Sequence, residues 1–312
     1  MKIAVKQAQR GYRTSWLQRA AQYKQVYILL LPTLLVYLIF QYAPMFGLSI
    51  AFQKYSVTKG IFGSKFVGLD NFINFLTNYK FWQLMRNTLS INIYGFIFGF
   101  PMPIIFALLL NEMKRIHCRK LIQTVTYMPH FISTVVVSSM VLSFVASDGV
   151  INHLRAAFGG EPISFMTEPK YFYFIYIASD IWQNMGWSSI IYIAALSSVD
   201  QEQYEAAAID GAGRFKQMLH ITLPGIMSTI ITMMILRIGQ LLTVGYEKII
   251  LLYNPTIYDT ADVISTYVYR RGLLEGDYSY SAAVGMFNSV FNFLFLITSN
   301  TISRKVSGSG LW

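Results

Sequence analysis

Four side chains within one apolar stretch have the chemistry to hold a polar solute: Asp180, Gln183, Asn184 and Trp187. Their i, i+3, i+4, i+7 spacing puts a carboxylate, two amides and an indole on one helix face. Sugar hydroxyls need paired donors and acceptors, and the weakly polar face of a pyranose stacks on an aromatic ring, so this face suits a carbohydrate. Arg237 and Gln240 share a face of a second apolar stretch, and Asn288 and Asn292 share one of a third. Asp180 and Arg237 are the two charges clearly inside apolar stretches, where an ionisable group is a functional candidate by default. The alternative for the same residues is polar contact between helices, including an Asp180–Arg237 pair that only holds two helices together.

Other chemistry has no visible home. Gly60-Ile61-Phe62-Gly63-Ser64-Lys65 lacks the glycine spacing of a phosphate-binding loop, and neither a Gly-x-Ser-x-Gly elbow nor a His-Glu-x-x-His pair occurs. The single cysteine, Cys118, cannot form an internal disulfide, and no Cys/His group has metal-ligand spacing. The expectation is no catalytic residue, no metal and no cofactor bound by this chain. An embedded enzyme using Asp180 with a histidine as acid and base is the competing reading. It is disfavoured because His130 is expected near the inner side and Asp180 in the outer half of its helix.

The elements that must position these residues are membrane helices. Of 312 residues 54% are hydrophobic and 13% charged, against roughly 25% charged in an average soluble domain. Each crossing needs about 20 apolar residues, and six stretches qualify: Val26 to Gly47, Thr88 to Leu110, Ile122 to Ala146, Tyr171 to Leu196, Leu223 to Tyr246, and Ser281 to Ser303. A backbone in lipid must satisfy its own hydrogen bonds, and these stretches are too long for barrel strands. The expected fold is therefore all-α, a polytopic membrane protein with six transmembrane helices. Residues 1–25 form a basic arm, and residues 26–312 form the helical domain, including the loop 197–222.

The net charge of +10 follows from topology rather than from nucleic-acid binding. Fourteen Lys and Arg residues, among them Lys2, Lys6, Arg10, Arg13, Arg19, Lys24, Lys114, Arg115, Arg119 and Lys120, fall on one side of the ladder, and ten fall on the other over a longer length of chain. Cation density faces the cytoplasm, so both termini are expected there. Around Trp16 the basic arm has the composition of a segment lying at the inner interface, against lipid headgroups. The outer stretch from Phe66 to Trp82 is aromatic-rich, and either an amphipathic segment on the outer face or a plain ordered connector fits it.

The loop 197–222 carries the most specific pattern. Glu205-Ala206-Ala207, three residues, Gly211, nine residues, then Ile221-x-Leu223-Pro224 has a chance occurrence on the order of 10⁻⁶ in a chain of this length at average residue usage. Glu202 and Glu205 suit a helix N-terminus, the alanines favour a helix with a surface small enough for close docking, and Gly211 and Gly213 permit a sharp bend. Pro224 suits the first turn of the next helix. This pattern resembles the signature of permease subunits of type I ABC importers. Phe66-Val67-Gly68-Leu69-Asp70-Asn71-Phe72 and Asn87-Thr88-Leu89 are similar to landmarks of the carbohydrate branch. The segment from Tyr253 to Arg270 is similar to permeases for complex oligosaccharides and polysaccharides, the group that includes the lipoprotein-associated and alginate permeases.

The resemblance implies a role. Glu205, Ala206, Ala207, Gly211, Ile221, Leu223 and Pro224 would form the coupling helix and its flank, seated on a partner ATPase. The substrate path would use Asp180, Gln183, Asn184, Trp187, Arg237, Gln240, Asn288 and Asn292. The implied partners are a second homologous permease in a heterodimer, a dimer of ABC ATPases that uses ATP, an extracytoplasmic sugar-binding protein or lipoprotein, and an oligosaccharide. The implied location is the bacterial cytoplasmic (inner) membrane, in contact with lipid and without nucleic acid. A permease of the same architecture for a non-sugar solute stays open at this point.

Overall fold

A computed structural model describes residues 23–312, so most of the basic arm, with Trp16, lies outside the described residues. Within them the regular structure is helical apart from one short antiparallel hairpin pairing Gln53 with Phe66 and Lys54 with Lys65. Four helices are long and apolar enough to cross a membrane: Lys24–Phe52, Phe81–Asn111, Thr134–Ala157 and Tyr278–Ser307. A fifth unit consists of Arg214–Gly225 and Met227–Ile238, bent by 59°. Pro169–Leu196 has 28 residues, roughly 42 Å at 1.5 Å per residue. It is long enough to cross but carries the polar face around Asp180.

Two expected stretches are divided. Between Ile122 and Ala146 the helix Ile116–Tyr127 ends in a 3-10 turn at Met128–Phe131, and Thr134–Val145 begins anew. Pro129 has no N–H and its ring blocks continuation of the helical ladder, while Ser133 caps the new helix by accepting from Val136 N at 3.4 Å. Between Leu223 and Tyr246, helical structure ends at Ile238 and Tyr246–Leu252 is a separate short helix. The preceding helix starts at Arg214 and passes through a π turn at Met218–Thr222. Pro224 therefore lies at the bend, where a proline disturbs the ladder, and not in the first turn of the helix.

The core is small and local. Phe75, Phe81, Leu84, Ile264, Tyr267, Tyr280 and Val284 form one cluster, and Phe172, Ile249, Leu252 and Ile257 belong to another. Of the aromatic-rich outer stretch, Phe75 and Phe81 turn inward and meet edge to face, while Phe66, Tyr79 and Trp82 stay exposed. The stretch is ordered and anchored by two rings, and its exposed Phe66, Leu69, Ile73, Tyr79 and Trp82 leave an apolar surface uncovered. Lys24–Tyr37 buries no residue at all, with Leu29 78% exposed, a surface suited to lipid or another chain rather than to water.

Several polar residues fasten the connectors. Asn71 Nδ2 donates to the carbonyls of Ala51 and Gln53 at 2.8 and 3.0 Å. Asn87 Nδ2 donates to Asp259 O and Asp262 O, both at 2.9 Å, and Thr88 Oγ1 accepts from Ile264 N at 3.0 Å. Asp262 in turn holds Arg270 through both carboxylate oxygens. Gly186 makes the closest helix contact: a Cβ there would overlap the backbone carbonyl of Thr126. Only glycine lets Pro169–Leu196 meet the end of Ile116–Tyr127 so tightly.

Candidate functional site

Pro169–Leu196 presents its polar face to two adjoining cavities of about 560 and 860 Å³. Gly95, Gly99, His130, Asp180, Ile181, Asn184 and Arg237 border both, so the two form a continuous space. Gln183 faces the smaller part, and Trp187 and Gln240 face the larger. The break at Pro129 supplies His130 and Phe131, the chain following Ile238 supplies Lys248, and the two glycines of Phe81–Asn111 keep the opposite wall flat. The irregular backbone thus occurs where it borders a cavity, the setting in which a membrane tolerates it.

A polar chain runs along this space. Lys248 Nζ lies 3.8 Å from Asp180 Oδ1 and donates to Gln183 Oε1 at 3.4 Å, with the Tyr176 ring 5.6 Å away. Asn184 Nδ2 donates to Asp180 Oδ1 at 2.9 Å, which leaves Asn184 Oδ1 facing His130 Nδ1 at 3.0 Å. An amide oxygen only accepts, so His130 carries its proton on Nδ1. The imidazole then stacks on Trp187, centroids 4.7 Å apart and planes within 6°. Phe131 meets the same indole edge to face at 5.4 Å. The result is a row of carboxylate, amides and an aromatic platform.

The structure brings together six of the eight residues expected on a path: Asp180, Gln183, Asn184, Trp187, Arg237 and Gln240. It does not bring Asn288 or Asn292 to the cavities. Asn292 ties the turn after Ile238, accepting from Leu242 N at 2.9 Å and donating to Thr243 Oγ1 at 2.7 Å, while Asn288 Oδ1 is buried without a partner. The counter-ion of Asp180 is Lys248 and not Arg237. His130, expected to be far from Asp180, is one amide away, because the break at Pro129 carries it to the cavity.

The second candidate region is the elbow between Leu196 and Leu223. Asp200 caps the helix Gln201–Ile209 by accepting from Glu202 N at 3.0 Å. Glu205 and Ala206 are exposed, Ala207 is half-buried, and Gly211 ends the helix at φ +74°, a left-handed conformation that glycine adopts without strain. Tyr204 Oη donates to Thr222 Oγ1 at 2.9 Å, and Arg214 pairs with Glu112 at 3.5 Å. Ile221 and Tyr204 pack on Ile104, Tyr192, Leu196 and Ile226, while Leu223 is half-buried and Pro224 exposed. Ile209 and Phe215 project outward, 87% and 69% exposed.

The sequence pattern of the family described as "Binding-protein-dependent transport system inner membrane component" matches residues 11–308. The chain belongs to this family. It is 46% identical over 303 residues to Protein LplB of Bacillus subtilis (strain 168), covering 97% of this chain and 95% of that one. It is 42% identical over 301 residues to the polygalacturonan/rhamnogalacturonan transport system permease protein YteP of the same organism, covering 96% and 94%. Among solved structures, a chain of a bacterial alginate ABC transporter in complex with an alginate pentasaccharide-bound periplasmic protein superposes with a TM-score of 0.87 at 40% identity, covering 95% of this chain and 99% of that one. The protein is thus an inner-membrane permease, a transport component and not an enzyme.

Sequence reasoning missed three groups at the permease's cavity. Lys248 follows the apolar run ending at Tyr246, and its burial to 7% exposure depends on the chain folding back after Ile238. His130 and Phe131 were hidden inside an apparently continuous apolar stretch. The signal for them was Met128-Pro129, a proline near the middle of that stretch.

Proposed function

We propose that this permease is one of two homologous membrane subunits of an ABC importer that moves an oligosaccharide or polysaccharide fragment by alternating access. It crosses the membrane six times, through the four long apolar helices, the bent pair and Pro169–Leu196, with both termini in the cytoplasm. The cation excess on the inner side supports that orientation. The bare surface of Lys24–Tyr37 supports a second permease and lipid as its cover. An extracytoplasmic binding protein delivers the sugar, and a dimer of partner ATPases binds and hydrolyses the ATP.

One observation carries this reading: a single helix links the cavity to the elbow. Asp180, Gln183, Asn184 and Trp187 stand on the same 28-residue helix whose end, at Tyr192 and Leu196, anchors the elbow cluster. A displacement of Gln201–Ile209 by a partner is transmitted to the cavity wall through rigid helix and packed side chains rather than through a flexible loop. The exposed Glu205, Ala206, Ile209 and Phe215 make a small apolar surface with an acidic edge for the ATPase groove. The hydroxyl-binding amides and the Trp187–His130 platform suit a saccharide, in agreement with the sugars in the relatives' names.

Receptor- and sugar-stimulated ATP hydrolysis by the reconstituted importer tests this, comparing wild type with Glu205→Ala plus Gly211→Pro. Stimulation by one saccharide in the wild type, lost in the folded double variant, is the expected result. Normal coupling in the variant would reduce the elbow to a structural connector.

A further inference from the structure

Arg237 borders the cavity without an ion pair among the described residues, as does the exposed Glu247 of the smaller half. The arginine lies at the end of Met227–Ile238, borders both halves of the space, and reaches across it until a guanidinium nitrogen is 3.5 Å from where a Cβ on Gly95 would stand. Among the described residues it forms no ion pair, because Asp180, the one carboxylate bordering both halves, is matched with Lys248. Glu247 borders the smaller half only, is exposed, and makes no ion pair with Arg237. The C-terminal end of its helix offers Arg237 partial negative charge, but this is about half an elementary charge shared over several carbonyls. A half-buried guanidinium that faces a cavity is open to a ligand's charge, and its planar fork matches a carboxylate.

Resting on the oligosaccharide reading above, we infer that Arg237 receives a carboxylate of the transported saccharide, so that the membrane path itself, and not only the receptor, separates uronate-containing from neutral sugars. The platform of Trp187 and His130 takes the ring face, Gln183 and Asn184 take hydroxyls, and Arg237 takes the acid from the opposite wall. Lys248 has a different part. By neutralising Asp180 it keeps that carboxylate from repelling an acidic sugar a few ångströms away.

The test is direct binding to the purified complete importer without receptor, using trigalacturonate and the same trimer with its carboxyls reduced to alcohols, for wild type, Arg237→Lys and Arg237→Gln. The acidic trimer is expected to bind at least tenfold tighter to the wild type. Arg237→Gln is expected to abolish that preference by weakening the acidic trimer at least tenfold more than the reduced one, and Arg237→Lys to keep part of it. A merely structural arginine would lower both affinities together. Equal binding of the two trimers by wild type, a preference that survives Arg237→Gln, or binding of neither trimer overturns the assignment. The oligosaccharide reading stands or falls separately, on whether any saccharide, acidic or neutral, stimulates ATP hydrolysis.

Discussion

Lys248 and Asp180 are unequal partners, since the lysine side chain is 7% exposed and the aspartate 45%. Removing either leaves the other charge alone, and the cost rises with how far the survivor is kept from water. Asp180→Asn therefore destabilises more than Lys248→Met, because it strands the buried ammonium. Both losses should fall below the roughly 3–5 kcal/mol typical of a fully buried pair, since the cavity hydrates the carboxylate. The double variant should recover most of the loss, and thermal unfolding of the detergent-purified protein checks the order. A double variant no more stable than Asp180→Asn would mean that the two groups do not interact. Asp180 was legible in the sequence because a charge among apolar neighbours stands out. Lys248 was not, because its surroundings are assembled from residues far away in the chain.

At the scale of elements, legibility tracked regularity. Hydropathy located the bulk of Lys24–Phe52, Phe81–Asn111 and Tyr278–Ser307, since about 20 consecutive apolar residues form a strong signal. The alanines and Gly211 of the elbow were readable because helix propensity and bends depend on single residues at fixed offsets, whereas the capping residue Asp200 went unread beside Glu202 and Glu205. The breaks at Pro129 and Ile238 were lost, since an average over twenty residues smooths out a four-residue interruption. Gly186 was equally silent, because its reason is the backbone of Thr126, which only the packed helices reveal. Gly186→Ala pushes a methyl group into that carbonyl and should cost about 1–3 kcal/mol as an overpacked contact. The expected result is a lower melting temperature together with weaker sugar-stimulated ATP hydrolysis, because the same contact sets where His130 meets Asn184. Gly285→Ala is the control, since nothing lies within 4 Å of a Cβ there. Equal melting temperatures for Gly186→Ala and wild type would show that these two helices are not tightly packed.

At the scale of the whole molecule, charge decides direction across the membrane more than packing does. Lys114, Arg115, Arg119 and Lys120 surround Cys118, the single cysteine of the chain, and that cysteine is exposed. If cation density faces inward, Cys118 lies on the cytoplasmic side together with the elbow, whose Arg214 pairs with Glu112 just ahead of it in the chain. The hairpin between Gln53 and Phe66 then lies outside. A membrane-impermeant maleimide should leave the wild type unlabelled in intact cells and label it once the membrane is permeabilised. In a Cys118→Ser background, Thr58→Cys, at an exposed site in the hairpin, should label without permeabilisation. Labelling of Cys118 in intact cells would invert the topology, put the elbow on the face without ATP, and remove the route by which an ATPase could drive the cavity.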